Sequence, residues 1–80
     1  MRYPQFDRLN NTQGKVILKF VVNEDGSVGE VQVVRSVSPG LDTEALRIVR
    51  QLPPFKPGMQ LGKPVKVYYY LPVVFKLTTD

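Results

Sequence analysis

The chain has 80 residues, a formal net charge of +4, and neither cysteine nor histidine. Its length predicts one small domain over residues 1–80, and the absence of cysteine excludes disulfides and thiolate metal sites. The commonest general base, the commonest thiol nucleophile and nearly all zinc sites are excluded too, so we predict a protein that is not an enzyme and needs no metal or cofactor.

The first predicted elements are a short helix and a strand. Residues 3–9 favour a helix of one or two turns, with Phe6 and Leu9 three apart on one side. Residues 15–22 alternate apolar side chains with a mixed second set, which predicts a strand with one buried face. The polar, turn-prone residues 10–14 separate the two elements.

A hairpin is predicted next. Asp25-Gly26 separates two β-like runs, and a glycine free to take positive φ is a strong hairpin signal. The second strand, from Val28 to about Ser36, is therefore expected to run antiparallel to the first. The sequence from Ser36 to Gly40 then breaks the strand pattern.

The one long predicted helix follows, and Pro53-Pro54 ends it. Its apolar positions recur at the helical spacing: Leu41, Ala45, Ile48, Val49 and Leu52. Its predicted outer face carries Glu44, Arg47, Arg50 and Gln51. Residues 55–64 are predicted to form an ordered, turn-rich loop with Phe55 and Met59 turned inward.

The last strand is predicted over Val65 to Lys76, where β-branched and aromatic residues dominate. Alternation places one set on the core face, namely Val65, Val67, Tyr69, Leu71, Val73 and Phe75, and Lys66, Tyr68, Tyr70, Pro72, Val74 and Lys76 on the other. Pro72 favours an edge strand, because proline gives no N–H to a ladder. The predicted fold is α+β: a three-stranded antiparallel sheet in the order 2-1-3, with two helices on one face.

Tyr68 and Tyr70, with Lys66 and Lys76, also leave a second function open. They could form a platform on which the bases of a single-stranded nucleic acid stack. Alternation weakens this alternative, because Tyr69 points the other way, and an aromatic strand that packs into the domain is favoured over it. The positive charge permits attraction to nucleic acid, anionic lipid or an acidic peptide, but it is spread along the whole chain.

A series of short motifs runs through most of the chain: Tyr3-Pro4, Gly14-Lys15-Val16, Phe20-Val21-Val22, Asp25-Gly26-Ser27-Val28, Val33-Val34-Arg35-Ser36, Leu41-Asp42-Thr43-Glu44-Ala45-Leu46, Phe55-Lys56-Pro57-Gly58, Gly62-Lys63-Pro64-Val65 and Leu71-Pro72-Val73-Val74-Phe75-Lys76-Leu77. In order and spacing they resemble the C-terminal domain of the TonB family, over residues 3–77. One departure is that the Gln-Pro expected before Tyr3-Pro4 is missing.

This resemblance implies a periplasmic domain, tethered to the inner membrane by a helix and a proline-rich linker that would precede Met1. Its partner would be the TonB box, a short segment of an outer-membrane transporter that adds as a strand beside the last strand. Force from the inner-membrane proton-channel complex would then reach the transporter and permit uptake of siderophores, vitamins or glycans. The family's domain also occurs appended to other membrane proteins, such as signalling peptidases, so the parent could be one of those.

Carried onto this sequence, the resemblance predicts a docking edge from Val65 to Phe75. The predicted partner-binding residues of this edge are Val65, Lys66, Val67, Tyr68, Tyr69, Tyr70, Leu71 and Val73, with side-chain contacts from Lys66, Tyr68 and Tyr70. A second set is Arg2, Tyr3 and Gln5, if the N-terminal segment lies near the same edge. An unpaired edge also predicts a possible homodimer.

Overall fold

The structure, a computed structural model, describes residues 2–77. Its elements in chain order are α1 (Gln5–Leu9), β1 (Gly14–Val22), β2 (Val28–Arg35), α2 (Pro39–Arg50), β3 (Gly58–Gln60), β4 (Lys63–Val65) and β5 (Val67–Phe75). No helix within residues 2–77 is long and apolar enough to cross a bilayer.

The main sheet has the order β2-β1-β5, and both pairings are antiparallel. The ladder between β1 and β5 runs without a register shift, from Gly14 opposite Phe75 to Val22 opposite Val67. The ladder between β1 and β2 has two irregularities. The predicted strand order 2-1-3 is thus confirmed, with β5 as the third strand of the prediction.

The core lies between the sheet and the helices. Alternate side chains of β1 point into it, and α2 and the end of β5 supply the rest: Val16, Leu18, Phe20, Val22, Leu41, Ala45, Val49, Val73 and Phe75 are all buried. The predicted buried face of β1 and the predicted apolar face of α2 are therefore confirmed in outline, although Ile48 and Leu52 are only half-buried. Within residues 2–77, no helix covers the opposite face of the sheet.

Helix α2 begins two residues before its predicted apolar face. Ser38 is in extended conformation, and its Oγ accepts a hydrogen bond from the N–H of Leu41 at 3.1 Å. Pro39 occupies the first turn, where a proline's missing N–H costs nothing. Ser38 and Pro39, which break the strand pattern, therefore also begin the helix. A serine N-cap favours this start because its hydroxyl accepts from a backbone N–H that would otherwise be unpaired.

Helix α1 lies within the predicted residues 3–9 and has little more than one turn, and its apolar side faces solvent. Phe6 and Leu9 are 75% and 72% exposed, whereas Asp7 is buried. The Oγ of Ser38 donates to Asp7 Oδ1 at 2.7 Å, and a methyl group on Gly40 would lie 2.1 Å from Asp7 Oδ2. The helix thus packs through its carboxylate, because only a glycine at position 40 allows so close an approach.

Glu44 does not lie on the outer face of α2, as the sequence predicted, but is buried. Its carboxylate accepts hydrogen bonds from Arg47 Nε at 2.7 Å and from the backbone N–H of Arg2 at 2.6 Å. These hydrogen bonds replace those that the carboxylate would make with water if it were exposed. The prediction was wrong because helical spacing cannot show that the N-terminal segment folds back over this part of α2.

The loop predicted over residues 55–64 contains a hairpin instead. Strands β3 and β4 pair antiparallel through a two-residue turn, Leu61-Gly62, with φ of 51° and 76°. Phe55 turns inward as predicted and packs on Phe20, but Met59 is 58% exposed, so its predicted inward position was wrong. Val65 belongs to β4 and not to the last strand, because Lys66 interrupts the β structure.

Candidate partner-binding edge

Strand β5 lies at one side of the main sheet and pairs only with β1 among the residues that the structure describes. We call the unpaired side of Val67–Phe75 the β5 edge. The strand is firmly held from its other side, because all nine residues pair with β1 and because Val73 and Phe75 are buried. The β5 edge therefore presents free backbone groups on a well-supported strand.

The direction of those backbone groups follows from two observations. The N–H of Asn23, just after β1, donates to the carbonyl of Ser27 at 2.8 Å on the β2 side, so odd-numbered residues of β1 direct their backbone groups toward β2. Ile17 shares that direction and lies opposite Pro72. We infer that Pro72 and the even-numbered residues of β5 direct their backbone groups to the β5 edge, where a proline interrupts no bond to β1.

The side chains of β5 alternate as predicted. Val67 and Leu71 are half-buried on the core face. Tyr68 and Tyr70 are exposed on the opposite face of the sheet, which we call the open face. Tyr69 lies on the core face but remains 43% exposed, because it stacks at the margin of the core. Its ring centroid is 6.0 Å from that of Phe20 and 5.9 Å from that of Phe55.

A lysine of β1 connects the two exposed tyrosines. Lys19 Nζ lies 4.9 Å from the ring centroid of Tyr68 and 5.9 Å from that of Tyr70. Cation–π contacts at such exposed sites are worth about 0.5–1 kcal/mol each. Lys19 is a residue that the sequence prediction missed. Alternation along β1 places it on the open face, but only the β1–β5 register shows that it lies opposite Tyr70.

The part of the chain that contains β5 is basic in sequence. No acidic residue occurs between Glu44 and Asp80, whereas six basic residues do: Arg47, Arg50, Lys56, Lys63, Lys66 and Lys76. Two of the chain's carboxylates, Asp7 and Glu44, are buried. Glu44 is paired with Arg47, whereas Asp7 accepts a hydrogen bond from Ser38. Lys66 is exposed and lines a shallow concavity with Glu24 and Asp25.

The second predicted set of residues is divided between two places. Tyr3 reaches β5 from the core side, with its ring edge-on to Phe75 at 5.7 Å and its hydroxyl donating to the carbonyl of Thr12. Burial and the neighbouring charge of Asp7 raise the pKa of that hydroxyl. Arg2 lies beside Glu44 on α2, and Gln5 is exposed on α1. Tyr3 is thus the member of this set that packs on β5.

The buried carboxylate of Glu44 is the most strongly shifted acid of the described region. Hydrogen bonds from the Arg47 side chain lower the pKa of Glu44 to about 2, against the opposing effect of its burial. The same pair raises the pKa of Arg47. No group of three or more potential metal ligands occurs among residues 2–77. The Glu44 carboxylate thus joins the N-terminal segment to α2, because it accepts from the backbone N–H of Arg2.

An antiparallel three-stranded sheet with two helices on one face, and an outer strand whose far side is unpaired among residues 2–77, defines a class of small α+β domains with an accessible sheet edge. The chain belongs to the family described as the Gram-negative bacterial TonB protein C-terminal, whose model matches residues 1–77. The family predicted from the short motifs is confirmed.

Relatives and solved structures agree with this assignment. The protein named "Protein TonB" in two strains of Helicobacter pylori is 30% identical over 81 residues, covering 99% of this chain and 27% of each relative. The chain thus spans about a quarter of the length of these relatives. Two NMR solution structures of Helicobacter pylori TonB-CTD cover 99% of this chain, with TM-scores of 0.73 and 0.70 at 25% and 27% identity, and are themselves covered to 71% and 83%. The predicted fold is confirmed by this likeness.

Proposed function

We propose that this chain is the periplasmic C-terminal domain of a TonB-type energy transducer and that it binds the TonB box of an outer-membrane transporter. The proposal rests chiefly on one observation, the unpaired side of a nine-residue outer strand in a domain of this family. An extended segment that pairs with such an edge gains backbone hydrogen bonds almost independently of its sequence. Its partner contacts would be Val65 to Val73, with Lys66, Tyr68 and Tyr70 supplying side chains.

The backbone of β5 supports this mode of binding. With even-numbered residues facing the edge, Tyr68, Tyr70 and Val74 each offer an N–H and a C=O, and Pro72 offers a C=O only. An added strand would thus lack one hydrogen-bond donor, at Pro72. Since each net hydrogen bond contributes about 0.5–1.5 kcal/mol, the backbone alone supports moderate affinity with modest selectivity.

Selectivity would come from the side chains that flank the edge. Tyr68 and Tyr70, held around Lys19, offer aromatic and cationic contacts on the open face. Arg2, Tyr3 and Gln5 remain a proposed second set; Tyr3 lies nearest to β5, at Phe75. A chain of transducer type would pass force from an inner-membrane proton-channel complex through a region N-terminal to this domain, tethered in the inner membrane.

An NMR titration of the isotopically labelled domain with a TonB-box-like peptide tests the proposal. We expect backbone amide shifts concentrated in Val67–Phe75, and weaker shifts elsewhere. A scrambled peptide of the same composition is the control for nonspecific contact. Saturating peptide that leaves the amides of β5 unshifted would contradict strand addition at this edge.

A basic single-stranded nucleic-acid-binding module is the second candidate. The exposed rings of Tyr68 and Tyr70 with Lys19 between them favour it, because bases stack on such surfaces. An oligonucleotide in the same titration would then shift Lys19, Tyr68 and Tyr70, with an affinity that falls steeply with salt. We favour the peptide, because a sheet edge and the family membership both support it.

A further inference from the structure

Leu61, at the tip of the β3–β4 hairpin, has a backbone conformation and a solvent exposure that are both unfavourable for leucine. Leu61 has φ of 51°, in the left-handed region that leucine rarely adopts, and its side chain is 96% exposed. Asparagine or glycine is preferred at this position of a two-residue turn with positive φ. A leucine here stabilises neither the turn nor the core, so its side chain is best explained by a contact outside the domain.

The hairpin around Leu61 is apolar at its end and basic at its flanks. Met59 is 58% exposed, and the exposed Lys56 and Lys63 lie before and after it in the chain. The hairpin forms its own two-stranded sheet, separate from the main sheet. Lys66 lies beside Glu24 and Asp25 and does not belong to this basic flank. The tip is thus apolar and exposed, and an exposed lysine stands on each side of it in the chain.

We propose that this hairpin tip binds the surface of a membrane that contains anionic lipids. An apolar side chain that enters the headgroup region and lysines that remain at the lipid surface act additively in such binding. Exposed side chains at a turn need no pocket of complementary shape, and residues 45–79 contribute no carboxylate that would repel anionic headgroups, although Glu24 and Asp25 lie beside Lys66. With only two apolar side chains and two lysines, the binding is weak and reversible, as for a single-chain lipid anchor.

Vesicle flotation of the domain tests this proposal. Vesicles of phosphatidylglycerol mixed with phosphatidylcholine should carry the domain upward, and vesicles of phosphatidylcholine alone should carry much less. L61N should lower the affinity by about tenfold or more, the fold-change for losing one buried leucine side chain. K63Q should lower it by roughly fivefold, which is the effect of one lysine at an anionic surface.

The same variants distinguish a loss of membrane contact from a loss of folding stability. Because asparagine accepts the left-handed region, L61N should unfold at the same temperature as the parent or a higher one while it loses vesicle binding. L9N is the matched control, since Leu9 is 72% exposed on α1 and has no place in the proposed contact. It should bind vesicles as the parent does.

Three results would overturn the proposal. They are equal binding of the parent to neutral and anionic vesicles, unchanged binding by L61N, and no binding to either vesicle, which would favour a protein surface as the partner of the tip. The peptide titration of L61N should match that of the parent. The lipid contact and strand addition at the β5 edge can therefore fail independently.

Discussion

At the scale of single residues, Tyr70 tests which backbone groups face the β5 edge. Its N–H is directed to the free side in the arrangement inferred from Pro72, so Y70P should keep the ladder with β1 and lose one bond to an added peptide. We expect peptide affinity to fall about fivefold, the effect of one backbone hydrogen bond. Titration calorimetry measures it, with circular dichroism to confirm the fold.

Two further substitutions complete that test. Y70V removes the ring but keeps the N–H, so it separates the loss of the aromatic side chain from the loss of the donor. Y69P removes an N–H directed toward β1 and should destabilise the domain itself. If Y69P folds and Y70P does not, the inferred direction of the β5 backbone is reversed.

Glu44 should make the domain sensitive to acid. Its folded pKa is about 2 against an ordinary value of 4.5, so the ionised form is the one that stabilises the fold. That stability is fully present above about pH 5 and is lost as the pH falls through the folded pKa near 2. E44Q should reduce the unfolding free energy at neutral pH by about 1–3 kcal/mol and flatten its decline in acid.

Urea denaturation across that pH range measures the effect. R47Q is the companion variant, because it removes the largest cause of the lowered pKa and should also flatten the profile. An E44Q domain that declines in acid as steeply as the parent would show that other carboxylates dominate. The sequence prediction missed this site, because Glu44 lies at the margin of the apolar face of α2, three residues after Leu41 and four before Ile48, and the returning N-terminal segment buries it.

At the scale of elements, the start of α2 depends on one hydroxyl. Ser38 Oγ accepts from Leu41 and donates to Asp7, so it both caps the helix and holds α1 against it. S38A should lower stability by about 1–2 kcal/mol, which shifts Tm by roughly 4–8 °C per kcal/mol in a domain of this size. Differential scanning calorimetry measures it. S38T, which keeps the hydroxyl, should lose much less.

The elements show what the sequence could predict and what it could not. Strands β1 and β5 were predictable because their alternation is clear and their ends are marked by turns. The β3–β4 hairpin was missed because its strands have three residues each and contain Pro64, and because its turn carries a leucine where asparagine or glycine is the usual signal. The burial of Asp7 on α1 was not predicted, because one turn is too short for periodicity to identify a buried face.

At the scale of the whole molecule, the two candidate functions respond differently to salt. Peptide pairing along the β5 edge depends on backbone hydrogen bonds, so its affinity should change little between low and moderate ionic strength. Nucleic-acid binding to Lys19 and its neighbours should weaken steeply, because it depends on phosphate charge. Fluorescence anisotropy with a labelled peptide and a labelled oligonucleotide compares them. Peptide affinity that falls as steeply as that of the oligonucleotide would count against backbone pairing.

The fold as a whole was predictable, whereas the candidate site was predictable only in part. Pro72 and the alternation of β5 indicated an outer strand, and the short motifs indicated the family. The register that places Lys19 between Tyr68 and Tyr70 depends on the folded sheet. The separation of Arg2 from β5 likewise depends on a tertiary contact, the bond from its N–H to Glu44.

The attachment of the N-terminal segment has a mechanical consequence. Residues 2–13 are held to the body by a few polar contacts, chiefly Arg2 with Glu44 and Asp7 with Ser38, and by the packing of Tyr3. A pull applied at this end would detach those contacts one after another before it loads the ladder between β1 and β5. Twelve extended residues span about 40 Å. The segment would therefore extend first under tension, and the force would reach β1 at Gly14 only after residues 2–13 are extended.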